Sequence, residues 1–317
     1  MILVAGSANL DFVVRANHIP GPGETVLGDD FKTYPGGKGA NQAVACARAG
    51  GAATHMLLAL GQDAQAEPLL ASLRNAKVQT HLVQSTEQPT GCAFICVADN
   101  AENAITVAPG ANLTLQKQHL PRLHGYSHLL MQLEIPLSTV TAYAEEARAQ
   151  GVHVVLNAAP AQHMPPQLLD VVDLLIVNEG ELAALVAHPA SVAENLRHIQ
   201  VANVVVTLGH RGCVARQGSK IFVQPALAVS AVDTTGAGDT FCGTLVAALS
   251  RGEPLDRAML VASAAGALAC TRRGAQASIP DAQEVAEFLT QQVEPSATRL
   301  QALRDYCGWL AHSSDSE

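Results

Sequence analysis

Short apolar runs recur along the chain at 2–5, 55–60, 128–132, 152–157, 174–178 and 204–208. Most of these runs place apolar residues at consecutive positions, so as strands they are buried on both faces. Between them, 40–49, 67–75, 137–150, 179–187, 192–200, 238–250 and 254–270 carry the spacing of helices, with a short helix at 165–170. Strands buried on both sides that alternate with helices predict a mainly parallel, doubly wound α/β sheet with helices on both faces. The helix at 40–49 is almost all small residues, which predicts close packing against its neighbour.

The rhythm breaks near the N-terminus. Residues 18–38 are rich in glycine and proline, and 12–14 is a short apolar run. The segments 91–98 and 103–107 flank a polar turn and predict a hairpin. Together these predict a small antiparallel sheet, a β lid built from about 11–38 and 90–110 and standing off a main domain at 1–290. A second hairpin is predicted at 213–217 and 220–223, and the region 283–309 holds one helix and a second. Residues 291–317 read as a C-terminal extension without an assigned role, ending in a polar, frayed tail at 312–317.

At 317 residues and 48% apolar, the chain can bury a large core, and with 3% aromatics that core is aliphatic. The net charge of −9 gives no global attraction for nucleic acid or anionic lipid, so an anionic substrate needs a local positive pocket. Seven cysteines show no CxxC or zinc spacing and read as reduced thiols. The apolar runs are too short and interrupted to span a bilayer. The apolar N-terminus has no basic leader and reads as a strand, so the expected location is cytoplasmic.

Five segments carry candidate chemistry. In 232–241, Gly236-Ala237-Gly238-Asp239 joins an extended stretch to a helix start. Free backbone N–H groups there suit an anion, and the helix dipole favours negative charge. Asp239 fits a general base beside that anion pocket, or an ordinary capping aspartate. In 36–41, glycines permit close backbone approach while Lys38 and Asn41 offer donors, although a plain loop before a helix reads the same way. Asn9 and Asp11 follow the first strand, where open α/β sheets bind ligands, and Glu134 is similarly placed. The run Asn178-Glu179-Gly180-Glu181 fits the hydration shell of Mg²⁺ near a polyphosphate, a helix-capping box, or both. Thr207 to Gly212 ends a strand with two glycines and suits a nucleotide bed. Neither a Walker A loop nor a dinucleotide fingerprint is present, so a dehydrogenase is excluded. His124 and His128 are separated by a strand break, and His210 is a loop residue.

The stretches GGKGANQAV at 36–44 and VDTTGAGDTFCG at 232–243 resemble the two signatures of the ribokinase-like carbohydrate kinase family. QPTGCAF, PGAN, NAAP and RRGAQASIP strengthen the resemblance, which runs from about residue 2 to about 290. It implies a doubly wound α/β domain whose β lids clasp into a homodimer. It also implies ATP-dependent phosphorylation of D-ribose at O5, with Mg²⁺ and activating K⁺. By resemblance, Asn9, Asp11, Gly37, Lys38, Gly39, Asn41 and Glu134 grip the sugar with Asp239, which is also the catalytic base. Gly236, Ala237 and Gly238 form the anion hole. Asn178 and Glu181 organise phosphate and Mg²⁺, Glu181 through water. Thr207, Gly209, Gly212, Gly238 and Ser263 hold the nucleotide. Asp233, Thr235, Ala269, Arg272, Gly274 and Ser278 surround the monovalent cation.

The chain departs from the pattern at Gly180, where threonine is more usual, and at Ser263, where a larger nitrogen-bearing side chain is common. The NLDF element also differs after its aspartate, and the extension past about 290 has no counterpart. Other acceptors remain open, namely 2-deoxyribose, fructose, tagatose phosphate or adenosine, as does an inactive sugar-sensing protein on the same fold. A nucleoside calls for an aromatic or apolar wall, for which Phe12, Phe31, Tyr34 and Phe94 are the candidates.

Overall fold

A computed structural model describes residues 1–100, 102–187 and 190–309, so the expected frayed tail at 312–317 lies outside the described residues. Its strands are β1 Ile2–Ala5, β2 Asn9–Ala16, β3 Asp30–Gly36, β4 Thr54–Gly61, β5 Gln79–Ser85, β6 Gly91–Ala98, β7 Asn103–Ala108, β8 His128–Met131, β9 His153–Asn157, β10 Leu174–Asn178, β11 Asn203–Thr207, β12 Gly212–Gln217 and β13 Lys220–Pro225. Its helices are α1 Lys38–Ala47, α2 Ala66–Asn75, α3 Leu137–Ala149, α4 Pro166–Asp170, α5 Glu179–Ala184, α6 Val192–His198, α7 Ala237–Ser250, α8 Leu255–Ala269, α9 Ala275–Ser278, α10 Ala282–Thr290 and α11 Ala297–Cys307.

Nine strands form one sheet in the order β13-β12-β11-β10-β9-β8-β1-β4-β5. From β5 to β11 the pairing is parallel, and β12 and β13 close that edge antiparallel. Side chains alternate between two aliphatic cores, one on each face. On β4, Met56, Leu58 and Leu60 face the core shared with α1, α2, α7 and α8. Leu57 and Ala59 face the other core, shared with α3, α4, α5, α6 and α11. The chain runs from β1 outward to β5, then returns to β8 on the other side of β1. The strand order therefore reverses between β1 and β8, and the crevice beyond their carboxyl ends is the natural ligand site.

The second sheet has the order β3-β2-β6-β7. It is not wholly antiparallel as expected, because β2 and β6 pair in parallel. Strand β2 also extends well beyond 12–14. Its polar Asn9, Asp11 and Arg15 hid the strand from a reading of apolar runs. Strand β5 was missed for a related reason: it is an edge strand carrying Gln79, Thr80, His81 and Gln84. The helix expected over 179–187 stops at Ala184, and that expected over 192–200 stops at His198.

Small residues let α1 and α7 touch. An added Cβ at Gly243 would lie 2.7 Å from the Ala45 Cβ and 2.8 Å from the Cys46 nitrogen. Beyond α10, helix α11 folds back onto the body. Leu303 and Cys307 are buried, Arg299 donates to the Ala226 carbonyl at 2.8 Å, and the Arg211 guanidinium lies 4.2 Å over the Tyr306 ring. Among the described residues no helix is long and apolar enough to cross a membrane, and each of the seven cysteines is unpaired.

Candidate active site

Gly236 adopts a left-handed conformation (φ 73°) and starts α7 without a side-chain cap. The Ala237 N–H donates to the Thr234 carbonyl at 3.2 Å, and those of Gly238 and Asp239 are the open donors. A Cβ at Gly238 would meet nothing within 4 Å, so this end of α7 is open. It borders a cavity of about 160 Å³ lined also by Lys38, Asn157, Asn178, Glu181, Thr207 and Asp239. The motifs at 36–41, 178–181 and 236–239 thus share one rim.

Asp239 is held by two amides of α1. Asn41 Nδ2 donates to its Oδ2 and Gln42 Nε2 to its Oδ1, both at 2.9 Å. Asn41 Oδ1 is buried and unpaired, an acceptor waiting for a donor. The charge of Asp239 raises the Lys38 ammonium above its usual range against the cost of burial, with further help from Glu134 and Glu181.

Glu134 joins the two sides of the switch point. Its Oε2 accepts from Ser7 Oγ at 2.5 Å and from the Lys38 backbone at 3.1 Å. Gly39 must be glycine here, since a Cβ would fall 2.6 Å from Gly6 and Ser7 backbone atoms. Gly37, at φ 87°, starts α1 just beside Asn9, whose side chain accepts from Asn112 Nδ2 at 2.7 Å. Asp11 points into a second cavity of about 450 Å³ beneath the lid, with Arg15, Lys32, Tyr34 and Arg273 among its lining. Burial, then the charges of Glu134 and Asp239, push the Asp11 carboxyl up to about 7.

Asn178 and Glu181 form a reciprocal cap. Asn178 Oδ1 accepts from the Glu181 backbone at 2.7 Å, and the Asn178 N–H donates to Glu181 Oε2 at 2.8 Å. Glu181 still faces the cavity, and burial raises its carboxyl above the usual range. The capping and ligand-binding readings of this motif are therefore compatible. Asp233 ties two loops together by accepting from Thr235 at 2.6 and 2.9 Å and from Gly274 N–H at 2.9 Å. Ser278 and Ala269 lie along the same connection, where Ser278 Oγ donates to the Ala275 carbonyl at 2.9 Å. The Arg272 side chain turns away to pair with Glu284.

Thr207 lines the cavity at Asp239, whereas Gly209, Gly212 and Ser263 do not. Ser263 sits on α8 against Cys213 of β12, with 3.6 Å between Oγ and Sγ. Of the four aromatic wall candidates, Tyr34 lines the lid cavity. Phe12 stacks on Phe31 and Phe94 instead, with centroids 6.2 and 5.4 Å apart, at positions outside that lining.

Reasoning from the sequence overlooked Gln42, Asn112 and Gln132 as site residues. Gln42 and Gln132 are fully buried, and Asn112 is 1% exposed. The available signal was a lone Gln on the inner face of an alanine helix, which cannot be left unpaired.

An open helix terminus, a carboxylate above it, a buried lysine and a cluster of acidic and amide groups beneath a small β sheet match the site of an α/β group-transfer enzyme. Residues 1–282 match the model of the pfkB family carbohydrate kinases, and the chain belongs to that family. It is 38% identical over 306 residues to a ribokinase of Haemophilus influenzae, with 91% of this chain and 98% of that one covered. A deoxyribokinase of Salmonella typhi is 32% identical over 302 residues, with 91% and 98% covered. Among solved structures, an Arabidopsis thaliana ribokinase complexed with ribose and ATP superposes with a TM-score of 0.84 at 31% identity, covering 92% of this chain and 99% of that one.

Proposed function

We propose that the chain phosphorylates D-ribose at O5 with ATP. The observation that carries this reading is Asp239, fixed by Asn41 and Gln42 at the open start of α7 and facing the same cavity as Lys38 and Glu181. Asp11 and Asn41 Oδ1 offer acceptors to sugar hydroxyls, and the Lys38 ammonium offers a donor. Asp239 accepts the O5 proton as the O5–phosphorus bond forms and the bond from phosphorus to the departing ADP oxygen breaks. The N–H groups of Gly238 and Asp239, beside that of Ala237, which also donates to the Thr234 carbonyl, receive the charge that grows on the transferred oxygens. The lid keeps out water, the competing acceptor.

The donor set fits a divalent ion. Glu181 keeps a carboxylate face on the cavity beside the Asn178 amide, so these two would hold hydrated Mg²⁺ through water. When bound, Mg²⁺ neutralises polyphosphate charge. Thr207, Gly209, Gly212 and Ser263 follow or flank the adjoining strands and form the proposed nucleotide bed. The loop pair tied by Asp233 fits K⁺ through oxygen ligands of Thr235, Ala269, Arg272, Gly274 and Ser278. The exposed Phe31 and Phe94 of the lid, at 63% and 55%, support a homodimer through this sheet. Seven unpaired thiols support a cytoplasmic location.

Phe12, Phe31 and Phe94 stay outside the lid cavity, but Tyr34 lines it with Val13, Ile95 and Ile105, so adenosine is an acceptor to test beside the sugars. The likeness to a deoxyribokinase makes 2-deoxyribose the acceptor to set against ribose. ATP consumption should be followed with ribose, 2-deoxyribose, fructose and adenosine, each with and without K⁺. Ribose gives the highest kcat/KM, and Asp239→Asn loses most turnover while ribose binding persists. A preference for another acceptor, or near-normal turnover in Asp239→Asn, refutes the reading.

A further inference from the structure

Behind Asp239 lies a run of three buried amides, Gln42, Asn157 and Gln132, of which only Asn157 borders the cavity at Asp239. Asn157 Nδ2 donates to the Ile176 carbonyl at 3.1 Å. A carbonyl oxygen only accepts, so the Asn157 amide has one satisfied orientation, with Oδ1 turned to Gln42. Gln42 Nε2 donates to that oxygen and to Asp239 Oδ1, each at 2.9 Å. Gln42 Oε1 accepts from Gln132 Nε2 at 2.7 Å. Turning the Gln42 amide over would set oxygen against oxygen twice and NH₂ against NH₂ once. The direction of every bond is therefore dictated from a backbone carbonyl of β10 up to the carboxylate.

This arrangement is retained although Gln132 Oε1 is buried without a partner. An aliphatic core would leave no such atom, so packing alone does not account for three polar side chains between α1 and the sheet. Gln42 and Gln132 are both 0% exposed, and Asn157 is 7% exposed.

We propose that Gln42 is a positioning residue for phosphoryl transfer. It anchors Oδ1 of Asp239 from the buried side, as Asn41 anchors Oδ2, and so sets the orientation in which the carboxylate takes the substrate proton. Asn157 and Gln132 hold the Gln42 amide in the donating orientation. The inference rests on Asp239 being the base, and Asp239→Asn measured alone tests that separately.

The test is a double-mutant cycle on kcat in the full chain, with ribose binding measured by calorimetry without ATP. Loss of one hydrogen bond to a charged group predicts that Gln42→Met lowers kcat about ten- to hundredfold. Ribose affinity stays nearly constant. Because Gln42 acts through Asp239, the double variant Gln42→Met/Asp239→Asn turns over no more slowly than Asp239→Asn alone. A purely structural role would instead multiply the two losses. Gln132→Met, at the far end of the run, gives a smaller loss of kcat with the same non-additivity, and it serves if Gln42→Met fails to fold. Unchanged kcat in these variants, or fully multiplicative losses, overturns the proposal.

Discussion

Replacing Asp11 by Asn should make the unliganded protein more stable and worse at holding sugar. Asp11 sits under the lid with Glu134 and Asp239 as its acidic neighbours, and its carboxyl is raised from 3.8 to about 7, mainly by burial. Between those two values the folded chain keeps a proton that the unfolded chain releases. Stability therefore falls as pH rises through that window, and the cost is complete above 7. A rise of about three pH units corresponds to an upper limit of about 4 kcal/mol. The side chain is partly open to the lid cavity and coupled to two other carboxylates, so about 1–2 kcal/mol is the realistic share. For a chain of this size that is a gain of roughly 2–4 °C in Tm for Asp11→Asn above neutral pH.

Thermal melts of the parent and Asp11→Asn, without ligand, across acidic to mildly alkaline buffers measure it. The two chains should melt together near pH 4, diverge between pH 4 and 7 and keep a constant gap above it, with Asn the more stable, while ribose affinity drops. An Asn variant less stable than the parent at pH 8, or a gap that does not widen with pH, refutes the reasoning.

Gly243→Ala should force α1 away from α7, because its Cβ would come within 2.8 Å of α1 backbone. Overpacking of this kind costs about 1–3 kcal/mol in chemical denaturation, and an unchanged midpoint would show that the helices yield freely. Phe94→Asp places a charge among the exposed lid aromatics and should shift the protein from dimer to monomer in light scattering. A parent that is already monomeric removes the basis for that interface.

What the sequence disclosed follows from how each residue signals. Strands buried on both faces announce themselves as apolar runs, so β1, β4 and β8 to β11 were readable, and with them the parallel sheet. Strands β2 and β5 were partly or wholly missed because one face carries polar side chains, in β2 toward the lid cavity and in β5 toward solvent at a sheet edge. The glycine motifs disclosed the left-handed turn at Gly236 that starts α7 and the close approach at Gly39, since both positions need a residue without a Cβ. Gln42 and Gln132 stayed hidden because their significance is relational. Each is an ordinary amide in a list, and only the fold places Gln42 between Asn157, Gln132 and Asp239. The pairing of Tyr306 with Glu179, at 2.7 and 2.9 Å, has the same character, linking residues from opposite ends of the second half of the chain.

The charges at the site also explain why one crevice can take two unlike ligands. Asp11, Glu134, Asp239 and Glu181 together outnumber the single buried Lys38, and the carboxyls of Asp11 and Glu181 are raised, mainly by burial and further by their acidic neighbours. Carboxylates short of donors match a neutral polyol, whose hydroxyls donate without adding charge. The start of α7 is the reverse case, with donors short of acceptors, and it matches an anion. Asp239 stands at the boundary. Its neighbours on α1 hold both carboxylate oxygens, and its own helix opens free N–H groups onto the same cavity, as the proposed mechanism requires. On the proposed mechanism, proton removal at O5 and stabilisation of the transferred phosphoryl oxygens therefore fall on the two sides of Asp239.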